Sequence, residues 1–222
     1  MYNVRFKRGA MLKKLREPVN SLTHWGGAIL ALIGLIALLI VGWSTPAKII
    51  SLAIYGVSLI FLFSASATYH MVRVKDKALE IFRKVDHSAI FVLIAGTYTP
   101  FCINVFDGFW KWGMLSIIWG LAVIGIIVKV FYIGAPRWLN VVIYLIMGWL
   151  CVAASGQLLA ALPAWVFTWL IIGGVIYSLG AIVYATKIFN FKPGVFGFHE
   201  VWHIFVLLAA AAHFVAVMGV AF

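Results

Sequence analysis

Seven apolar runs occupy almost all of this 222-residue chain: residues 21–43, 47–70, 86–105, 112–131, 137–159, 165–187 and 198–222. Each is about 20 residues long, and a helix of that length rises about 30 Å, the thickness of a bilayer's hydrocarbon layer. The chain is 65% hydrophobic and only 10% charged, whereas a soluble domain carries about 25% charged residues. The reading is an all-α integral membrane bundle of seven transmembrane helices. Pro46, Pro136 and Pro163 fall in the joints, where a missing N–H does no harm, and Pro100 falls late in the third run as a candidate kink. Trp43, Trp110, Trp112, Trp138 and Trp165 gather at run ends, as an aromatic belt does. No soluble domain, linker or repeat interrupts the series, so the chain divides into a basic tail, residues 1–20, and a seven-helix domain, residues 21–222. The first run is too long for a signal-peptide core and no small-residue cleavage pattern closes it, so it reads as a retained span.

The net charge is +11, from 17 Lys+Arg against 6 Asp+Glu. A basic chain invites a nucleic-acid reading, but here the cations sit at the ends of apolar runs, and the membrane topology rule accounts for them better. The tail and alternate joints carry fifteen of them, including Arg73, Lys75, Lys77, Arg83, Lys84, Lys129, Arg137, Lys187 and Lys192. The opposite joints carry only Lys48 and Lys111. That split predicts a cytoplasmic N-terminus and an outside C-terminus. Cys102 and Cys151 lie in apolar runs with no CxxC, so neither a disulfide framework nor a thiolate metal site is indicated.

With that topology, the polar residues collect at one depth. Glu17, Asn20 and His24 open the first span, Ser66 and His70 close the second, Asp86 and His87 open the third, and His199, Glu200 and His203 open the seventh. Five of the six histidines and three of the six acids thus share the cytoplasmic level on four helices. Ser66 and His70 are four apart and face one way, as do His199 and His203. Glu17, Asn20 and His24 form one helical stripe. If these faces turn inward, His70, His199 and His203 can meet. Three neutral imidazoles leave one tetrahedral position open, the pattern of a catalytic zinc site, with Asp86 placed to take a proton from water there and Ser66 to donate a hydrogen bond. Spacing alone supports a metal site no better than the alternative, in which histidines at span ends bond one another or face the interface.

At these residues the chain resembles a bacterial hemolysin III-type member of the progestin and adipoQ receptor (PAQR) family. The matching pieces are Glu17-Pro-Val-Asn20-Ser-Leu-Thr-His24, Ser66-Ala-Thr-Tyr-His70, Asp86-His87, Ala95-Gly-Thr-Tyr-Thr-Pro100, and His199-x-x-x-His203 with His213 beyond. They run in order over nearly the whole chain. The resemblance implies zinc held by His70, His199 and His203 near the cytoplasmic face, with Asp86 and Ser66 at the acidic and serine positions beside the metal's water. It also implies a zinc-dependent hydrolase acting on ceramide-like lipids, a role in membrane lipid homeostasis, membrane lipids as partners, and a bacterial plasma membrane location. The long N-terminal domain and C-terminal tail of the animal receptors have no counterpart in this sequence, so a hormone-receptor role is not expected. The other readings are a sensor or homeostasis protein in which zinc staples helices together, and a pore-forming hemolysin. A pore requires a polar stripe through the whole bundle, and the outer halves of the spans have few polar residues.

His199-Glu-Val-Trp-His203 also fits the HExxH pattern of zinc metalloproteases, in which the glutamate is the general base. In a helix Glu200 points about 100° away from His199, and Asp86 is the preferred partner of the water. Intramembrane metalloproteases add a distant Asp-Gly, and the one Asp-Gly here, Asp107-Gly108, falls on the opposite side of the bilayer by the charge count. His213 lies ten residues beyond His203, about 15 Å along a helix. It cannot share the metal and is expected to be a packing histidine bonded within the bundle. Glu17, Asn20 and His24 read either as a layer behind the metal ligands or as a packing cluster.

Overall fold

The computed structural model describes residues 15–132, 134, 136–192 and 195–222. The basic tail expected over residues 1–20 therefore lies mostly outside the described residues, and its last part belongs to the first helix. Helix α1 spans Pro18–Val41, α2 Pro46–Met71, α3 Asp76–Asn104 and α4 Gly108–Phe131. A fifth rod comprises α5 Arg137–Trp149, a 3-10 segment Leu150–Ala154, and α6 Ser155–Ala161. Helices α7 Ala164–Thr186 and α8 Phe198–Ala221 complete the chain.

Helix α1 shows how the sequence sorts its faces. Asn20, His24, Gly27, Ala31, Gly34 and Leu38 recur every three or four residues and are buried. Ile29, Leu30, Ile33, Ile36 and Ile40 point outward, each more than half exposed. A soluble protein does not leave so wide an apolar surface bare; a bilayer is its natural covering. Among lipid tails, helices associate through close van der Waals packing rather than by hiding apolar surface. Accordingly, a Cβ built on Gly27 would come 2.7 Å from Leu207, and one on Gly34 2.8 Å from Phe214, both on α8. The two glycines let the first and last helices approach closely.

Consecutive helices α1 to α4 are neighbours, as are α7 and α8. Helix α8 also touches α1, α2 and α3, so it stands at the centre, as its run Ala209–Ala212 suits. The fifth rod is held more lightly, by contacts of α5 with α3 and α7.

Among the described residues, six rods are long and apolar enough to cross a membrane: α1, α2, α4, the composite Arg137–Ala161, α7 and α8. Helix α3, the third of the seven expected spans, has 29 residues but is more polar. It begins ten residues before the apolar run. Asp76 sits in its first turn, and Glu80 and Lys84 pair at 2.8 Å one turn apart, so the charged stretch expected to be a joint is helical. The helix runs on through Pro100.

The fifth run, expected to be one continuous helix, is interrupted. At the break the Tyr98 hydroxyl lies 2.9 Å from the Met147 and Gly148 carbonyls, to which it donates, and accepts the Cys151 amide at 2.8 Å. A side chain from α3 thus replaces bonds that the 3-10 turn gives up, where no water would do so. Tyr98→Phe removes all three contacts and is expected to cost about 1–3 kcal/mol, read as a lowered Tm of the detergent-purified protein with secondary structure retained.

Candidate metal centre

The site starts where the chain enters α1. The Arg16 and Glu17 amides donate to the carbonyls of Met71 and His70, at 3.3 and 3.0 Å, at the end of α2. This backbone pairing sets the Glu17 carboxylate against His70: Nδ1 of His70 and Oε2 of Glu17 are 2.6 Å apart. Burial works against ionisation of Glu17, but the hydrogen bond and charge of His70, with Asn20 and Arg16 behind them, hold its carboxyl down at about 2. Once His70 gives up its second proton, as a metal ligand must, the ionised Glu17 still accepts the Nδ1 proton and Nε2 is left as a lone-pair donor. That is the orientation a carboxylate imposes on a metal-binding histidine.

Nε2 of His70 faces Nε2 of His199 at 3.5 Å, close to the roughly 3.4 Å that separates two ligands 2.0–2.1 Å from a tetrahedral zinc. His203 lies one turn beyond His199, its ring centroid 4.7 Å from that of His70 and 4.9 Å from that of His199. The ligand atoms of all three histidines lie within 4.8 Å of one another. His70 and His203 are buried and His199 is partly so. Three imidazoles converging with nitrogens turned toward a common point can hold a metal ion.

Asn20 and Glu200 brace this group. The Asn20 amide donates to Oε2 of Glu17 at 3.1 Å and to Oε1 of Glu200 at 2.9 Å. Oε2 of Glu200 accepts the Gly197 amide at 2.7 Å and caps α8. Both oxygens of Glu200 are therefore engaged away from the imidazoles, unlike the free base of an HExxH protease. His24 stacks on His203 at 3.9 Å, with an interplanar angle of 28°. Its two nitrogens and Nδ1 of His203 are buried without a hydrogen-bond partner.

A cavity of about 180 Å³ opens beside the triad. Ser66 and Asp86 line it together with His70, His199 and His203, and the Ser66 hydroxyl is within hydrogen-bonding reach of the Asp86 carboxylate. All five residues singled out in the sequence thus share one chamber. The walls beyond are mainly apolar, and His213 stands at the far end. Nε2 of His213 donates to the Leu170 carbonyl at 3.2 Å, so this histidine is bonded within the bundle and also faces the chamber. Two features went unseen in the sequence. Tyr184, whose ring is 5.7 Å from that of His199, is a wall residue, and no motif marked it. Lys129 is buried and bonds Asn140; its lack of a nearby acid in the sequence was the one available signal.

A family profile described as "Haemolysin-III related" matches residues 12–214. The "Hemolysin-3 homolog" of Bacillus subtilis (strain 168) is 38% identical over 204 residues, covering 91% of this chain and 92% of the relative. "Hemolysin-3" of Bacillus cereus is 38% identical over 204 residues, covering 91% and 90%. The human "Monocyte to macrophage differentiation factor" is 31% identical over 172 residues, covering 74% and 67%.

Purified protein is expected to carry one divalent ion per chain by elemental analysis. His70→Ala should abolish it, and Glu17→Gln should weaken it by about 10–100-fold, the usual cost of losing the partner that orients a ligand. Full metal content in His70→Ala would remove this histidine from the set.

Proposed function

The chain belongs to the haemolysin-III related family, and from that premise we propose that it is a zinc-dependent lipid hydrolase of the bacterial plasma membrane, cleaving an amide or ester in an amphiphile that reaches the cavity from the bilayer. The observation that carries this reading is the shared chamber: three convergent imidazoles, a carboxylate and a hydroxyl at one end, apolar walls at the other. Three imidazoles favour zinc over harder cations. Among the described residues no fourth His, Cys, Asp or Glu joins the group, which supports an open position rather than a structural staple.

A zinc ion held by His70, His199 and His203 supplies Lewis acidity, polarising a carbonyl and lowering the pKa of water toward about 7. The protein's own residues do the rest. Glu17 holds His70 in the ligating tautomer. Asp86 takes the proton of the attacking water and returns it to the leaving amine or alcohol as the carbonyl–heteroatom bond breaks. Ser66 donates to the developing oxyanion. The apolar wall excludes bulk water and holds the acyl chain.

The proposal includes α3 as the seventh span, with the metal centre at the cytoplasmic face. At 1.5 Å per residue, the 29 residues of α3 have length to spare for a bilayer, and the fifteen-to-two split of cations supports the orientation. A periplasm-dependent phosphatase fused after Phe222 should be active, and the same reporter inserted between Lys187 and Lys192 inactive; the reverse pattern would overturn the orientation. For the chemistry, Asp86→Asn should keep its metal yet lose at least about 100-fold in hydrolysis of an N-acyl or O-acyl amphiphile, the scale of general acid–base catalysis. Metal-loaded wild-type protein that turns over neither class while losing Tm on chelation would favour the staple instead.

A further inference from the structure

Beside the metal centre, three cations stand at one corner of the bundle, and among the described residues none of them is in an ion pair. Arg83 lies four residues before His87, on the same face of α3. Arg137, Asn140 and Tyr144 form one stripe on α5. The Tyr144 hydroxyl donates to the His87 carbonyl at 3.3 Å, so the two faces meet. Lys129, in the last turn of α4, donates to Oδ1 of Asn140 and closes the third side. Arg83 is near enough for its charge to act on Lys129, and both act on His87. Arg137 stands one turn before Asn140 on α5, so the three cations flank the stretch of cavity wall formed by His87, Asn140 and Tyr144.

These are not simple topology markers. A lysine that only marks the inner face extends its amine into water, as exposed Lys77 can. Lys129 turns inward and is 2% exposed. Its partner Asn140 offers a dipole but no negative charge. Nε of Arg83, Nη1 of Arg137 and Nδ1 of His87 are buried without hydrogen-bond partners. The Arg137 guanidinium sits over the rings of Tyr184 and Phe198, 4.8 and 5.2 Å from their centroids, which fixes its position at the chamber's edge. Among the described residues the ion pairs are Arg16–Glu17, His70–Glu17 and Lys84–Glu80, and none involves these three. Lys129 is thus a buried cation and the two arginines are partly buried ones, and cations so placed without an anion are costly in a membrane protein and mark functional sites.

We propose that Arg83, Lys129 and Arg137 form a binding site for the phosphate of an anionic phospholipid whose acyl chain occupies the adjoining cavity. Guanidinium forks match phosphate oxygens, and a basic pocket between helices at the inner leaflet is where such headgroups lie. The proposal adds headgroup selectivity to the cavity reading above and rests on an amphiphile occupying that cavity, but it needs neither metal nor turnover. Its failure would leave hydrolysis standing, and the failure of hydrolysis would leave this site standing.

The test uses the full chain, stripped of metal by a chelator, in nanodiscs of phosphatidylcholine doped with phosphatidylglycerol, with bound lipid counted by native mass spectrometry. Wild type should retain phosphatidylglycerol over phosphatidylcholine. Lys129→Gln and Arg137→Gln should each cut that preference about fivefold, while Lys77→Gln, the same charge change at an exposed position, should leave it intact. Circular dichroism confirms that each variant is folded. Equal loss in Lys77→Gln would reduce the effect to general surface charge and overturn the site. So would no preference in the wild type, or an unchanged preference in both Lys129→Gln and Arg137→Gln. Inorganic phosphate alone is the second probe. Weak binding of free phosphate beside firm retention of the lipid supports a headgroup site; saturation by phosphate with no added retention of phosphatidylglycerol makes this a small-anion site and overturns the lipid assignment.

Discussion

The hydrogen bond from His70 to Glu17 decides the character of this end of the bundle. A hydrogen-bond partner on one nitrogen of a buried imidazole fixes what the other can do. Glu17 takes the proton on Nδ1 at 2.6 Å, which commits Nε2 to the side where His199 and His203 lie. The bond is not isolated. Asn20 ties Glu17 to Glu200, and Glu200 caps α8. One continuous set of polar contacts thus links the start of α1, the end of α2 and the start of α8. Each member lowers the cost of burying the next, and the group as a whole holds its histidines in one orientation.

The rest of the bundle serves this polar end by contrast. Small residues let α1 and α8 close upon each other, while the fifth rod stands back and leaves a chamber between itself and the central helix. The chamber is polar where it meets the triad and apolar elsewhere. It has the shape of a site for a molecule that is itself polar at one end, and the cations beside it continue the same asymmetry.

Much of this was legible in the amino-acid order. Five of the apolar runs match single helices closely, because length and composition are all that a bilayer asks of a span; α3 starts ten residues early and the fifth run is broken. His70, His199 and His203 were found from their turns and depth, since i, i+4 spacing fixes a shared face. What stayed hidden depended on tertiary contacts. The break after Trp149 carries no proline, and its cause, the Tyr98 hydroxyl, comes from a helix some fifty residues away. The pairing of Glu17 with His70 arises from backbone bonds between the chain's entry segment and the end of α2, which no periodicity records. The inward turn of Lys129 was masked by its position, because a lysine at a span's end already has an explanation in topology.

The central helix α8 also follows all the other described helices in chain order. A bond spanning 180 residues, from Asn20 to Glu200, cannot form until α8 has been made. Synthesis and insertion proceed from the N-terminus, so for most of that time His24, His70 and Glu17 have none of their later neighbours on α8. The cluster is in this sense a record of assembly: a nascent product that stops short of α8 leaves the polar ends of α1 and α2 facing the bilayer, and the arrival of α8 covers them.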